Sequence, residues 1–126
     1  MIPTFKSNFP ILIIANEQTS GRGRKNRYWV SQKGNFMGTF ILEHEIEKQY
    51  IPHLSFVTSL ALKKTIEDFN SGMTDIFLKW PNDIIINDSK CAGILIESLR
   101  SNNNKEYLAI GIGVNLIKHP LNSSFK

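Results

Sequence analysis

Apolar residues fall into short continuous runs and one long helical pattern. Residues 11–14 are all apolar and branched, which is typical of a strand buried on both faces. In residues 52–69 the apolar positions recur on one broad face and charged side chains lie opposite, so an amphipathic helix is predicted there. Pro52 suits the first turn of this helix, and Gly72 can end it.

Five further strands follow from the same pattern. They are predicted at residues 35–42, 76–78, 84–86, 90–97 and 107–114. Asn87 and Asp88 are turn-forming residues, so the strands on either side of them are expected to form a β-hairpin.

Strands before and after one main helix predict an α+β fold. A doubly wound parallel fold needs more crossover helices than the chain supplies, so a mixed, largely antiparallel β-sheet with one main helix packed on it is expected. The length of 126 residues suits one domain, spanning residues 1–126. The tail from about residue 118 to 126 has little periodicity and is predicted to be poorly ordered.

The composition is that of a soluble globular protein, with 41% apolar and 21% charged residues. A single cysteine excludes an internal disulfide framework and fits a reducing compartment. The apolar run near the start is shorter than the roughly 20 residues that span a membrane. It also lacks a signal-peptide cleavage pattern, so a cytoplasmic protein without membrane association is predicted.

Positive charge is concentrated in residues 21–29, Gly-Arg-Gly-Arg-Lys-Asn-Arg-Tyr-Trp. Four cations stand in this stretch and the net charge of the chain is +4, so the remainder sums to zero. Like charges repel and glycine adds backbone freedom, so the loop is expected to be mobile until an anion neutralises it. That behaviour would suit a ligand-gated phosphate clamp, although a solvated loop or a nonspecific polyanion patch remains an alternative.

Candidate chemistry also lies in the predicted hairpin. Alternation places Lys90 on the core face with Ala92, and Gly93 on the opposite face. A lysine at the mouth of an apolar face either reaches out to water or meets a buried anion. Gly93 is suited to close approach by a ligand or a second backbone. Asp83 could bind a metal, hold a lysine, or simply form a turn.

Three segments in this order resemble the biotin–protein ligase family. They are Gln18-Thr19-Ser20-Gly21-Arg22-Gly23-Arg24 with Trp29 and Ser31, Lys79-Trp80-Pro81-Asn82-Asp83 with Lys90 and Gly93-Ile94-Leu95-Ile96-Glu97, and Gly111-Ile112-Gly113-Val114-Asn115. The likeness covers roughly residues 13–117. The lysine seven residues beyond Asp83 distinguishes this family from its lipoate-ligase relatives.

The resemblance implies a two-step reaction. The carboxylate of biotin attacks the α-phosphate of ATP, which gives biotinyl-5′-AMP and pyrophosphate. A lysine amine of a biotin carboxyl carrier protein then attacks the mixed anhydride, and AMP leaves. ATP with Mg²⁺, biotin and the carrier domain are therefore the expected ligands and partners, and pairing of two copies through the sheet is common in such a family.

The resemblance also assigns roles to residues. Lys90 and Arg24 are the expected catalytic residues, with Lys90 binding the biotin carboxyl and the transferring phosphate. The expected contacts to biotin and the adenylate come from Gln18, Arg22, Gly23, Arg24, Lys90 and Gly93. Those expected at the nucleotide end are Lys79, Asn82, Asp83 and Asn115, and no residue is firmly expected to ligate a metal.

The chain departs from the family pattern in three places. Asn26 stands where glycine is usual, but asparagine tolerates a left-handed backbone, so the loop is still expected to form. Gln32 stands where proline is usual, and no convincing Ser-Thr-Asn segment precedes the first strand. A partial catalytic domain is therefore expected. A non-catalytic biotin or carrier binder remains an alternative, and a nucleic-acid-binding module built on the basic loop is less favoured because no second basic patch accompanies it.

Overall fold

A computed structural model describes residues 10–69, 72, 75–102 and 104–117. The tail of residues 118–126, predicted to be poorly ordered, lies outside these residues, as do residues 1–9. The described elements are β1 (Ile11–Ala15), β2 (Phe36–Glu43), α1 (Leu54–Phe69), β3 (Ile76–Lys79), β4 (Asp83–Ile86), β5 (Ser89–Arg100) and β6 (Glu106–Val114), with short 3₁₀ turns at Arg24–Asn26 and Lys48–His53.

The six strands form one sheet in the order β1-β2-β6-β5-β4-β3. Every described strand pair is antiparallel. The α+β prediction of one main helix on such a sheet is confirmed. None of the helices among the described residues is long and apolar enough to cross a membrane.

The main helix covers one half of one face of the sheet. It begins at Leu54, slightly later than predicted, because the chain around Pro52 forms a 3₁₀ turn first. The helix packs on β3, β4 and β5. Leu62 and Ile66 of the helix contact a buried cluster formed by Ile76, Ile84, Ala92 and Val114.

The first strand lies at an edge of the sheet and is not buried on both faces. Leu12, Ile13 and Ile14 are 45%, 44% and 60% exposed. The prediction of two-sided burial was therefore wrong. A continuous apolar run shows which residues favour a strand, but it does not show which layers cover that strand, and α1 packs on the other half of the sheet.

The predicted hairpin forms, but a β-bulge changes which way its lysine faces. Both turn residues have positive φ, 49° at Asn87 and 57° at Asp88, as a tight hairpin turn requires. Ile84 pairs with Ala92, whereas the next residue, Ile85, pairs with Lys90, so Cys91 is an extra residue in β5.

The extra residue breaks the simple alternation of side chains. Cys91 packs against the core cluster. The side chain of Lys90 instead lies beside Gly93, with its Nζ 3.4 Å from the position that a Cβ atom would take there. The prediction that Lys90 shares a face with Ala92 was wrong, because one inserted residue moves a side chain to the opposite face of the sheet.

Candidate active site

A cavity of about 900 Å³ opens on the face of the sheet opposite α1. Its lining combines the loop of residues 21–29, which we call the flap, with β2, β5, β6 and the turn between β3 and β4. All of the sequence-predicted site residues line it, namely Gln18, Arg22, Gly23, Arg24, Lys79, Asn82, Asp83, Lys90, Gly93 and Asn115. The structure thus brings the whole predicted set together, and the role of each residue stays a prediction.

Two glycines form part of the floor of the cavity, and the indole of Trp29 lies on them. Gly93 and Gly113 are paired across β5 and β6. A Cβ atom at Gly113 would lie 2.5 Å from carbon atoms of the Trp29 ring, and one at Gly93 would lie 3.0 Å from its Cζ3. The distance at Gly113 leaves no room for a side chain, so this glycine is needed for the ring to reach the sheet. A side chain at Gly93 would require the ring to shift by a few tenths of an ångström.

Trp29 was quoted in the family motif but was not among the predicted site residues. The signal that could have found it is the pair of strand glycines, because a glycine inside a strand often marks close approach of another group. Here the approaching group is a side chain of the same protein.

The flap is folded back on itself as a short hairpin. The amide of Trp29 donates a hydrogen bond to the carbonyl of Gly21 at 2.9 Å, and that of Gly23 donates to Arg27 at 2.7 Å. Lys25 and Asn26 take left-handed backbone conformations, with φ of 54° and 56°. Asparagine at position 26 therefore takes the positive φ that its side-chain type tolerates better than most.

Two arginines of the flap are tied to the sheet side of the cavity. Nη2 of Arg22 donates to both carboxylate oxygens of Glu97 at 2.9 and 3.0 Å. Nη1 of Arg24 donates to Oδ1 of Asn82 at 3.3 Å. Glu97 was quoted in the family motif but was given no role.

Lys90 and Asp83 form a largely buried ion pair beside the indole. The Nζ of Lys90 lies 2.7 Å from Oδ1 of Asp83, and the two side chains are only 17% and 19% exposed. The same Nζ lies 5.4 Å from the centroid of the Trp29 ring, within reach of a cation–π interaction. Oδ1 of Asp83 has no aligned hydrogen-bond donor within the described part of the chain, so the contact is one of charge and proximity.

Asn115 holds the bulge that turns Lys90 toward the cavity. Its backbone amide donates to the carbonyl of Cys91 at 2.7 Å, and its side-chain Nδ2 donates to the carbonyl of Lys90 at 3.2 Å. Nδ2 of Asn35 in turn donates to Oδ1 of Asn115 at 3.4 Å. Oδ1 of Asn35 accepts the amides of Leu116 and Ile117 at 3.1 Å each.

The hydrogen bonds that link Asn35, Asn115 and the bulge were not predicted. Asn115 was expected at the nucleotide end only through the family resemblance, and Asn35 was given no role. Their contacts join residues that are 80 positions apart along the chain. No local pattern in the sequence indicates such a pairing.

Three further features describe the surroundings of the cavity. Ser31 donates to Oε1 of Gln18 at 2.5 Å, which fixes the orientation of that amide at the cavity. Within residues 10–69, 72, 75–102 and 104–117, no group of three or more His, Cys, Asp or Glu side chains could hold a metal ion. Burial raises the pKa of the Cys91 thiol above its ordinary value, which fits a position packed under the cavity.

The described geometry and comparisons with known proteins point the same way. The model of the biotin/lipoate A/B protein ligase family matches residues 5–115. The chain is 42% identical over 108 residues to the biotin–[acetyl-CoA-carboxylase] ligase of Paracoccus denitrificans, covering 86% of this chain and 45% of that protein. It is 41% identical over 110 residues to the bifunctional ligase/repressor BirA of Bacillus subtilis, covering 86% of this chain and 33% of that protein.

Solved structures give the same likeness. The biotin protein ligase of Leishmania major in complex with biotinyl-5-AMP matches with a TM-score of 0.71 and 31% identity, over 88% of this chain and 49% of that one. The ligase of Aquifex aeolicus in complex with biotin and ATP matches with a TM-score of 0.70 and 30% identity, over 94% and 48% of the two chains. The chain thus spans less than half the length of these curated relatives and structures.

Proposed function

The chain belongs to the biotin/lipoate A/B protein ligase family, and on that premise we propose that it carries the activating site of an ATP-dependent biotin–protein ligase. The observation that carries the proposal is the convergence of Arg22, Arg24 and Lys90 on one cavity. Biotin and ATP are its proposed substrates, biotinyl-5′-AMP its intermediate, and a lysine of a carboxylase carrier domain its acceptor.

Electrostatics explains why this chemistry would need such a cavity. The carboxylate of biotin and the α-phosphate of ATP repel each other, and the repulsion is stronger where water is excluded. Cations fixed before the reaction lower that repulsion without having to reorganise. Lys90 would meet the carboxylate and the phosphate, while Arg22 and Arg24 would close over the adenylate and keep water from the anhydride.

Further contacts follow from position in the cavity. The amide of Gln18, oriented by Ser31, would bind the polar ring system of biotin. Gly23 would allow a ligand to approach the backbone of the flap closely. Gly93, by admitting the ring of Trp29, would shape the surface on which the ligand lies. Lys79, Asn82, Asp83 and Asn115 would line the nucleotide end (their places in the cavity support this assignment).

Magnesium is proposed to enter with ATP and not to be held by a protein cage. Mg²⁺ is commonly bound through one or two protein oxygens together with substrate phosphates. Asn82 and Asp83 offer such oxygens at the lining of the cavity, and Oδ1 of Asp83 already lies 2.7 Å from one cationic group, the Nζ of Lys90. When bound, the ion would neutralise charge on the triphosphate.

We also propose that the protein acts in the cytoplasm and that two copies pair through the sheet. A single cysteine suits a reducing compartment. The exposed apolar residues of edge strand β1 are suited to pairing, because an open strand edge presents unpaired backbone groups.

Biotin-dependent exchange of labelled pyrophosphate into ATP tests the activation step. Lys90→Ala should lower the exchange rate tenfold or more, because a hydrogen bond to a charged group contributes about 1.5–3 kcal/mol. Lys105→Ala is the matched control, since Lys105 pairs with Glu43 on the surface and does not line the cavity.

The exchange assay distinguishes the ligase from the alternative functions. An unchanged rate in Lys90→Ala would refute the role of that lysine. If calorimetry shows that the protein binds biotin but exchange does not exceed that of an enzyme-free blank, the protein is a non-catalytic biotin binder and not a ligase. The nucleic-acid alternative is not favoured, because the homologues and structural relatives are biotin ligases.

A further inference from the structure

Glu97 contacts the flap across the mouth of the cavity. It stands on β5 four residues beyond Gly93, on the same face of the sheet, and it lines the cavity. Its carboxylate accepts both hydrogen bonds from Nη2 of Arg22, a residue 75 positions away in the chain.

The contact with Glu97 differs in kind from the other hydrogen bonds of the flap. The bonds between Gly21 and Trp29 and between Gly23 and Arg27 join the flap to itself, so they shape the hairpin without fixing it to the sheet. The described hydrogen bonds that reach from flap to sheet side are those of Arg22 with Glu97 and of Arg24 with Asn82. Of the two, the Arg22 contact is the shorter, and it is the one made to a charged group.

We propose that Glu97 is a positioning residue, which holds Arg22 and with it the flap over the cavity. A guanidinium group has five N–H donors in a fixed, planar arrangement. Glu97 uses those of one nitrogen, so Arg22 can keep this contact and still offer donors of Nη1 and Nε to an anionic ligand. The carboxylate thereby fixes the cation in place before the ligand arrives, which lowers the entropic cost of closing the flap.

The two ion pairs at the cavity are suited to different tasks. The side chains of Arg22 and Glu97 are 59% and 40% exposed, whereas those of Lys90 and Asp83 are 17% and 19% exposed. An exposed pair is weak and screened by salt. The Glu97 contact can therefore open to admit a ligand and close again, while the buried pair keeps Lys90 fixed beside the floor.

Limited trypsin digestion of the ligand-free protein tests this proposal without requiring any activity. The flap supplies its own cleavage sites, and cleavage after Lys25 and Arg27 would be followed by mass spectrometry. Glu97→Gln should make these bonds about two- to fivefold more sensitive, the range expected for an exposed ion pair. Glu97→Asp, which keeps the charge, should restore most of the protection.

The matched control is Glu43→Gln, because Glu43 forms a comparably exposed ion pair with Lys105 away from the flap. The measured quantity is flap cleavage relative to cleavage after Lys63 and Lys64 in α1, so that general unfolding, which speeds both, is separated from flap opening. If the flap-to-helix ratio in Glu97→Gln equals that of the unaltered protein, the positioning role is wrong. An equal rise in Glu43→Gln would overturn it as well.

A second measurement joins this role to ligand binding and rests on the proposed function. Biotinyl-5′-AMP should leave the Glu97→Gln protein two- to fivefold faster than the unaltered one, with Glu43→Gln unchanged. An unchanged release rate would contradict positioning of Arg22 for the ligand. If the flap loosens but the unaltered protein does not bind biotinyl-5′-AMP at all, the proposed function fails while the contact between Glu97 and the flap stands.

Discussion

At the scale of single residues, the site depends on glycines, which have no side chain, as much as on charged residues. Sequence reasoning singled out Gly93 as a place of close approach, and the structure supplies the approaching group in the ring of Trp29. It could not identify Glu97 as a partner of the flap. The reason is physical: a carboxylate on a strand face looks the same in sequence whether it meets water or an arginine from a distant loop.

Gly113→Ala should disturb the floor of the cavity. The added methyl would lie 2.5 Å from the Trp29 ring, so either the indole or the strand must move. Overpacking of this kind costs about 1–3 kcal/mol in the free energy of unfolding. Urea unfolding would measure the loss.

Gly111→Ala is the matched control for that change. It lies on the same strand and face, but its Cβ atom would meet nothing closer than 3.4 Å, an ordinary contact. Equal stability of the two variants would show that the indole does not rest on the glycine floor.

At the scale of secondary-structure elements, the apolar periodicity predicted the helix and the strands, but it assigned Lys90 to the wrong face because β5 contains one inserted residue. The helix, the hairpin and the positions of the strands along the chain follow from apolar spacing and turn residues, which act over short distances. The bulge at Cys91 follows from none of these, because alternation assumes two faces with no extra residue. The same limit hid the edge position of β1, since strand pairing is decided by contacts far apart in sequence.

Asn115→Ala should loosen the bulge and move Lys90. The substitution removes the donor to the Lys90 carbonyl and a partner of Asn35, which is expected to cost about 1–3 kcal/mol. Cys91, the single cysteine, reports the change. Its thiol pKa is raised by burial, so at a given pH it carries less thiolate than an exposed thiol and reacts slowly with a disulfide reagent.

The reaction of Cys91 should become faster in Asn115→Ala, and ligand binding should weaken with it. Asn102→Ala, at an exposed turn, is the control and should change neither. If Cys91 reacts faster in Asn115→Ala but ligand binding is fully retained, the bulge does not determine the position of Lys90. Because burial raises the pKa of the Cys91 thiol, this group favours folding at pH values below the ordinary thiol pKa, and that contribution is lost as pH rises through the raised value.

At the scale of the whole molecule, stability and chemistry are placed on opposite faces of one sheet. The apolar cluster under α1 lies on one face, and the cationic cavity lies on the other. The sequence predicted both sets of residues but not their division between faces, since the bulge decides the side on which Lys90 stands. Changes at Arg22 and Arg24 should therefore affect ligand binding far more than folding.

Because Trp29 packs on the sheet, its fluorescence can report whether the flap is closed. The chain has two tryptophans, and the other, Trp80, is 75% exposed. In a Trp80→Phe protein excited at a wavelength that tyrosine does not absorb, the fluorescence would come from Trp29 alone. Its emission maximum should lie at shorter wavelength than that of a hydrated indole. Emission typical of a hydrated indole in that variant would show that the ring of Trp29 lies in water and not on the sheet. A red shift on adding Glu97→Gln would mean that flap opening can be followed in real time without a dye.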